Sequence, residues 1–120
     1  MDMTDVESWV ARYRAAWASD DPDDIRVAFT EDATYSTGPF DDPWIGLDEI
    51  VSKWVEGGDS QTSWEFAHEV LAVDGDLAVI EGRTTYTDDG RRYANLWLVR
   101  FADDGRAREF REFYMAPRKS

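Results

Sequence analysis

The chain contains no cysteine and a single histidine among its 120 residues. The missing thiols exclude a disulfide framework, a thiolate metal site and a cysteine nucleophile, so a reducing cytoplasm is the expected compartment. One imidazole and no thiolate leave carboxylates as almost the only candidate metal ligands. We therefore expect no metal site and no other cofactor.

Long apolar segments are also missing. No apolar stretch approaches the roughly 18 residues that cross a bilayer, and Met1 to Asp5 lacks the basic start of a signal peptide. We expect a soluble protein without a membrane partner, folded as one domain over residues 1–120 because this length suits a single hydrophobic core.

Positive charge is scarce, with 13 Lys and Arg against 26 Asp and Glu and a net charge of -13. Such a chain repels phosphate backbones, so we expect no nucleic-acid partner. Aromatic residues are abundant, with six Trp, five Tyr and six Phe. So many large rings in a small domain fill a core, and they also suit a pocket for an apolar or aromatic molecule.

Three Asp-Gly pairs, at 74–75, 89–90 and 104–105, separate runs rich in β-branched and aromatic residues. Asp-Gly between apolar runs is a strong hairpin signal, because glycine accepts the positive φ of a tight turn. The pattern predicts four long antiparallel strands that twist into a curved sheet. Their approximate ranges are 63–73, 77–87, 92–102 and 106–116.

The first part of the chain has helical periodicity. A capping box of Thr4 and Glu7 and apolar residues at spacings of three and four predict a helix over residues 5–19. Asp21 before Pro22 predicts the start of a second helix, with Phe29 on its buried edge. A short strand over 33–37 and a loop over 38–43 follow, and a third helix lies between the glycines at 46 and 57.

Helices followed by a long meander predict an α+β fold with three N-terminal helices packed on one side of a curved antiparallel sheet. The chain resembles the nuclear transport factor 2-like superfamily, and most closely its SnoaL-like branch. The segments that carry the resemblance are Tyr13 and Trp17, residues 29–35, the G-x-x-x-I-x-x-x-W pattern of Gly46 to Trp54, and residues 73–79, 93–97, 104–106 and 110–114.

The resemblance implies a cone-shaped sheet closed by helices, with a pocket at the open end and a homodimer formed through the outer face of the sheet. Relatives of this kind include ketosteroid isomerases, scytalone dehydratases, limonene epoxide hydrolases and polyketide cyclases, together with non-catalytic binding modules. Fold alone therefore does not decide function.

Alternation along each strand assigns side chains to the pocket or to the outside. We place Asn95 and Trp97 inward on the third long strand, Glu112 and Tyr114 inward on the fourth, and Leu96, Leu98, Phe113 and Met115 outward. On the second strand we place Val79, Glu81, Arg83 and Thr85 inward. On the first we place Trp64, Phe66, His68 and Val70 inward.

This phase brings Glu81, Arg83 and Glu112 together as candidate catalytic residues. The set is similar to the acid-Arg-acid constellation of limonene epoxide hydrolases, in which one carboxylate acts as base and the second donates a proton. The alternatives are an internal salt-bridge network or a pair on the surface.

His68 is a further candidate for proton transfer, with a rim or core role as the alternative. Asn95 inside a pocket must hydrogen-bond Glu112, a neighbour or a ligand. The predicted ligand-binding residues, which core packing explains equally well, are Tyr13, Trp17, Tyr35, Trp44, Trp54, Trp64, Phe66, Asn95, Trp97 and Tyr114.

Two hypotheses follow from these residues. In the first, the protein is a cofactor-independent isomerase, dehydratase, cyclase or epoxide hydrolase that acts on a small, largely apolar molecule. In the second, it is a non-catalytic ligand-binding or dimeric assembly module.

Overall fold

Three helices and a six-stranded sheet make up the computed structural model, which describes residues 2–57, 64–87 and 90–116. The helices are α1 (Met3–Ser19), α2 (Pro22–Arg26) and α3 (Leu47–Glu56). The strands are β1 (Phe29–Ser36), β2 (Trp44–Ile45), β3 (Trp64–Asp74), β4 (Leu77–Tyr86), β5 (Arg92–Phe101) and β6 (Ala107–Met115). The α+β class and the N-terminal position of the helices are confirmed.

The sheet has the order β2-β1-β6-β5-β4-β3. Strands β3 to β6 form the expected antiparallel meander, and the turn glycines have positive φ, 60° at Gly75, 75° at Gly90 and 86° at Gly105. Asp89 of the middle pair, the start of the first long strand at residue 63 and the tail at 117–120 lie outside the described residues. The sheet is nevertheless mixed, because β1 pairs in parallel with β6.

The N-terminal elements differ from the prediction in detail. Helix α1 begins two residues earlier, since the capping box consists of Asp2 and Asp5 instead of Thr4 and Glu7. Asp21 caps α2 and Pro22 is its first residue, as expected. Phe29 belongs to β1 and not to the edge of α2, because β1 gains a pairing partner when Phe29 lies beside Ala107 of β6.

The core lies between α1 and the inner face of the sheet. The indole ring of Trp9 is fully buried, and its edges contact Phe29, Trp97 and Phe101 at centroid distances of 6.1, 6.4 and 5.6 Å. Its Nε1–H donates to the carbonyl of Ala28 at 2.8 Å. A large ring is therefore buried without leaving its polar atom unpaired, and it anchors α1 to strands β1 and β5.

No helix within residues 2–57, 64–87 and 90–116 is long and apolar enough to cross a membrane.

Candidate functional site

A cavity of about 410 Å³ lies on the inner face of the sheet, beyond the packed core. Helix α1, the residues after it, α3 and strands β1, β2, β4, β5 and β6 all contribute to its lining. The lining residues are Tyr13, Trp17, Asp20, Tyr35, Trp44, Lys53, Trp54, Gly57, Thr84, Tyr86, Arg91, Tyr93, Asn95, Trp97, Glu112 and Tyr114. This volume and mainly aromatic lining suit a small organic molecule.

Stacked rings form one side of the cavity. The antiparallel pairing of β1 and β2 places Tyr35 opposite Trp44, and their rings stack at 4.8 Å with an interplanar angle of 12°. The ring of Trp54 packs edge-on against Tyr13 at 5.3 Å. Because each ring is held by another ring, the cavity wall is fixed before any ligand arrives.

Glu112 is the acidic group on the inner side of β6. It lies opposite Trp97 of β5, whose indole Nε1–H donates to Glu112 Oε2 at 2.6 Å. Burial raises the pKa of the Glu112 carboxyl above its ordinary value, and side-chain hydrogen bonds with Trp97 and Asn95 partly oppose that rise in pKa. A carboxyl of this kind can accept or return a proton nearer to neutral pH than an exposed one.

The amide of Asn95 is held by its neighbours on two strands. The hydroxyl of Thr84 donates to Asn95 Oδ1 at 2.8 Å, and the two residues are buried. Asn95 also hydrogen-bonds Glu112. Since Oδ1 is the acceptor for Thr84, the amide nitrogen is the end of Asn95 that can donate to the carboxylate.

A second polar pair lies where α1 meets β1. The hydroxyls of Tyr13 and Tyr35 are 2.8 Å apart, and both residues are largely buried. Burial is the main cause that raises the pKa of the Tyr13 phenol well above its ordinary value, and the charges of Tyr35 and Glu112 raise it further. Tyr13 therefore stays protonated and can donate a hydrogen bond to an oxygen atom in the cavity.

Charged residues from helix ends and turns complete the lining. Asp20, the C-cap of α1 with φ 52°, accepts a 3.0 Å hydrogen bond at Oδ1 from the Trp54 indole. Lys53 lies in the last turn of α3, and the guanidinium of Arg91 lies 4.5 Å from the centre of the Tyr86 ring.

Sequence reasoning missed Asp20, Lys53, Thr84, Tyr86 and Arg91 as candidate site residues. Most of them lie at helix ends, turns or strand ends, where periodicity carries little information about direction. Thr84 is different, because it lies within β4, and a correct assignment of the inner face of that strand would have identified it.

Most of the predicted ligand-binding residues lie around the cavity, and their roles in binding stay predictions. Two do not line it. Trp64 stacks on Trp17 at 4.0 Å, and Phe66 is buried against Trp97 at 5.0 Å. These two rings support the residues that line the cavity.

The prediction that Glu81 and Arg83 point into the cavity is wrong. In the β4–β5 register, Ile80, Gly82 and Thr84 pair with Trp97, Asn95 and Tyr93, so they share the inner face. Val79, Glu81, Arg83 and Thr85 consequently face outward. Glu81 and Arg83 form an exposed ion pair of 3.3 Å. Glu112 is thus separated from both, and the acid-Arg-acid constellation is not formed.

His68 shares the inner face with Phe66, on which its ring stacks at 6.0 Å. Its Nε2 lies 3.0 Å from Glu7 Oε2 of α1. The histidine does not line the cavity. It joins β3 to α1, and a role in the cavity chemistry has no geometric support.

No group of three or more histidine, aspartate or glutamate side chains is arranged to hold a metal ion within the described part of the chain.

Comparison with known proteins agrees with this architecture. The SnoaL-like domain model matches residues 10–110, whereas no curated protein matches the chain in sequence. A nuclear transport factor 2-like protein of unknown function from Burkholderia xenovorans has a similar structure, with a TM-score of 0.74 and 16% identity over 98% of this chain and 88% of the other.

Two similar structures have names that indicate an activity. A protein from Sinorhizobium meliloti, provisionally named a polyketide cyclase, has a TM-score of 0.72 and 20% identity over 94% of this chain and 100% of the other. A steroid delta-isomerase from Pseudomonas aeruginosa has a TM-score of 0.67 and 20% identity over 92% of this chain and 80% of the other. Likeness at this level shows the fold alone. The match over residues 10–110, together with the architecture, shows that the chain belongs to the SnoaL-like domain family.

Proposed function

We propose that the protein is a cofactor-independent enzyme that moves a proton on a small, largely apolar carbonyl compound bound in the cavity. The observation that carries the proposal is Glu112, a partly buried carboxyl with a raised pKa on the wall of an aromatic cavity. Perturbed carboxyls in clefts are frequent among catalytic acids and bases. The names of the two structural neighbours are compatible with chemistry of this type.

In the proposed reaction, the Glu112 carboxylate removes a proton from the carbon next to the carbonyl group. The electron pair of the broken C–H bond moves into the new C–C double bond, and negative charge develops on the carbonyl oxygen. A hydroxyl of the Tyr13–Tyr35 pair donates a hydrogen bond to that oxygen. Glu112 then returns the proton to another carbon, which isomerises the substrate, or to a departing hydroxyl, which leaves as water.

The same carbanion could attack a second carbonyl group in the substrate, so cyclisation belongs to the same reaction class. Epoxide opening does not follow from this geometry, because the acid-Arg-acid set on which it depended is divided between the two faces of the sheet.

Exchange of the carbon-bound proton tests the proposal directly. The protein is incubated in D₂O with 2-tetralone, a bicyclic enolisable ketone, and loss of the α-proton signals is followed by NMR. Glu112→Gln should slow the exchange by at least about 100-fold, the usual contribution of a general base. Glu109→Gln is the matched control, because Glu109 lies on the outer phase of β6 and pairs with Arg100. Equal exchange by wild type and Glu112→Gln would contradict the proposal.

A non-catalytic binding module is the second candidate. The observation in its favour is that Glu112 already hydrogen-bonds Trp97 and Asn95 without any ligand, as a purely structural carboxyl would. If the protein is a binding module, calorimetry should detect binding of 2-tetralone. The α-protons of the bound ketone should then exchange no faster than in buffer alone.

We also propose that two copies associate through the outer face of the sheet. Leu96, Leu98 and Phe113 are only half-buried there, and Met115 is 72% exposed. Apolar groups on an open sheet face are typical of a symmetric interface. Sedimentation equilibrium should give a dimer for the wild type and a monomer for Leu98→Arg, whereas Val27→Arg on the exposed end of α2 should remain dimeric. A monomeric wild type would refute the interface.

A further inference from the structure

The cavity is chemically different at its two ends. Glu112, Asn95, Thr84 and Trp97 lie along the inner part of the strands, where Asn95, Thr84 and Trp97 are less than 9% exposed. Tyr86, Tyr93 and Tyr114 lie towards the ends of the same strands, Arg91 directly precedes β5, and the exposed Lys53 reaches the cavity from α3; we call these five lining residues the cavity mouth. Tyr114 is 55% exposed there.

Within the described part of the chain, two positive charges line the cavity, Lys53 and Arg91, and both are exposed residues of its mouth. The Lys53 ammonium group makes no ion pair and donates no side-chain hydrogen bond to any residue within 2–57, 64–87 and 90–116. Arg91 lies over the Tyr86 ring at 4.5 Å. In a chain with 26 acidic and 13 basic side chains, two cations at one opening stand out against the overall charge.

Three tyrosines form the rest of the cavity mouth. The Tyr86 and Tyr93 rings meet edge-on at 6.0 Å, and Tyr93 meets Tyr114 edge-on at 5.8 Å. Each phenol is an apolar surface with a hydroxyl that can donate to a negatively charged oxygen. The mouth therefore combines cations and hydroxyl donors, whereas the inner end holds the partly buried carboxyl of Glu112.

We propose that the ligand of this cavity is an aromatic or polycyclic carboxylate whose acidic group lies at the mouth, against Lys53 and Arg91. The inference rests on the proposed function, since it identifies the substrate class of the same site. The apolar body occupies the space between Trp17, Trp44 and Trp54. A neutral carbonyl group points inward, because Glu112 would repel an anion at that end.

The charge arrangement thus selects the direction of binding as well as the type of ligand. With the reverse orientation, the ligand carboxylate would approach the Glu112 carboxylate in a partly desolvated space. Asp20 at the cavity wall weakens the attraction for anions, and the two cations of the mouth outnumber it. Each exposed cation should contribute up to about fivefold in affinity, the range for solvent-exposed ion pairs.

Paired ligands that differ only in charge test the inference. Calorimetry at pH 7.5 compares benzoate, 2-naphthoate and 2-anthracenecarboxylate with their carboxamides, which have the same shape and no charge. We expect the wild type to bind at least one carboxylate about five- to tenfold more tightly than its amide. In the Lys53→Gln, Arg91→Gln double variant, the preference for the acid should disappear while the amide affinity stays within about twofold.

Arg26→Gln is the control, because Arg26 forms an exposed ion pair with Asp48 away from the cavity lining, and it should keep the preference. Raising the salt concentration should reduce the preference of the wild type and leave amide binding unchanged. Equal affinity for acids and amides overturns the inference but leaves the proposed cavity function standing. No binding of any acid or amide overturns both.

Discussion

The indole of Trp97 and the carboxylate of Glu112 face each other across neighbouring strands and form a hydrogen bond of 2.6 Å. This bond favours the charged form of the acid and lowers its pKa, while burial acts in the opposite direction and dominates. The protonation state of the candidate base is therefore determined by a balance that one substitution can change.

Trp97→Phe should move the Glu112 pKa further upward, because the opposing hydrogen bond is removed while the ring is largely retained. At neutral pH the partly buried carboxylate loses a donor, which should cost about 1–3 kcal/mol of unfolding free energy. Carbon-13 NMR titration of Glu112 measures the pKa, and urea unfolding measures the stability. An unchanged or lower pKa would show that the indole does not stabilise the carboxylate.

Glu112 should make the folded protein less stable as the pH rises. Its folded-state pKa lies above the unfolded one, so the native state binds more protons between those two values. The stabilisation is complete below the ordinary carboxyl pKa and is lost as the pH rises through the higher folded-state pKa. The stability of Glu112→Gln relative to wild type should therefore increase from about pH 4 towards neutrality, measured by urea unfolding at each pH. A difference that is flat across this range would contradict the raised pKa.

Tyr13 and Tyr35 should be energetically coupled through their hydroxyls, which are 2.8 Å apart. Each single change to phenylalanine removes the shared bond, and the double change cannot remove it twice. A double-mutant cycle of unfolding free energies should give a coupling of about 0.5–1.5 kcal/mol. Strict additivity of the two changes would mean that the bond contributes nothing to stability.

Gly82→Ala should disturb the packing of Phe66 against Trp97, which lines the cavity. A Cβ atom at this position would lie 2.6 Å from the Phe66 ring, which stacks on Trp97. We expect a loss of about 1–3 kcal/mol, the usual cost of overpacking. Combining the change with Phe66→Leu should cost less than the sum of the two, because the smaller side chain makes room.

Gly57→Ala is the control for this experiment. Gly57 has φ -98°, and among the residues that the structure describes an added Cβ would meet only the Lys53 carbonyl oxygen, at 3.6 Å. Its unfolding free energy should stay within about 0.5 kcal/mol of wild type. An equally stable Gly82→Ala protein would show that the Phe66 ring can move without penalty.

Glu81→Gln should change little, although the sequence marked Glu81 as a catalytic candidate. Its partner Arg83 is 61% exposed, and exposed pairs contribute at most about 1 kcal/mol. Proton exchange on 2-tetralone and urea unfolding should both stay near wild-type values. A large loss of exchange activity would restore Glu81 as a candidate for the chemistry.

The sequence predicted the fold well because its signals are local. Asp-Gly pairs mark the hairpins, and alternating aromatic residues on β5 place Asn95 and Trp97 on the inner face. On β4 the two faces carry similar apolar residues at 78–80, and the inner face continues with Gly82, which has no side chain to indicate direction. Local patterns could not show which face of β4 is buried.

Pairings between distant segments were also beyond the sequence. Nothing within Phe29–Ser36 specifies a parallel partner in Ala107–Met115, because that choice depends on the twist of the whole meander. Lys53 and Arg91 line the same cavity only because the sheet places α3 and the β4–β5 turn on opposite parts of its rim. Their common location is a consequence of tertiary structure.

The parallel contact between β1 and β6 has a consequence for biosynthesis. During translation, β1 leaves the ribosome long before β6. The edge of β1 that pairs with β6 therefore stays unpaired until most of the chain has been made. Tyr13 is likewise synthesised early and Glu112 late. A nascent chain therefore has no complete binding site until β6 has emerged, and premature termination before this strand should yield a polypeptide without ligand affinity.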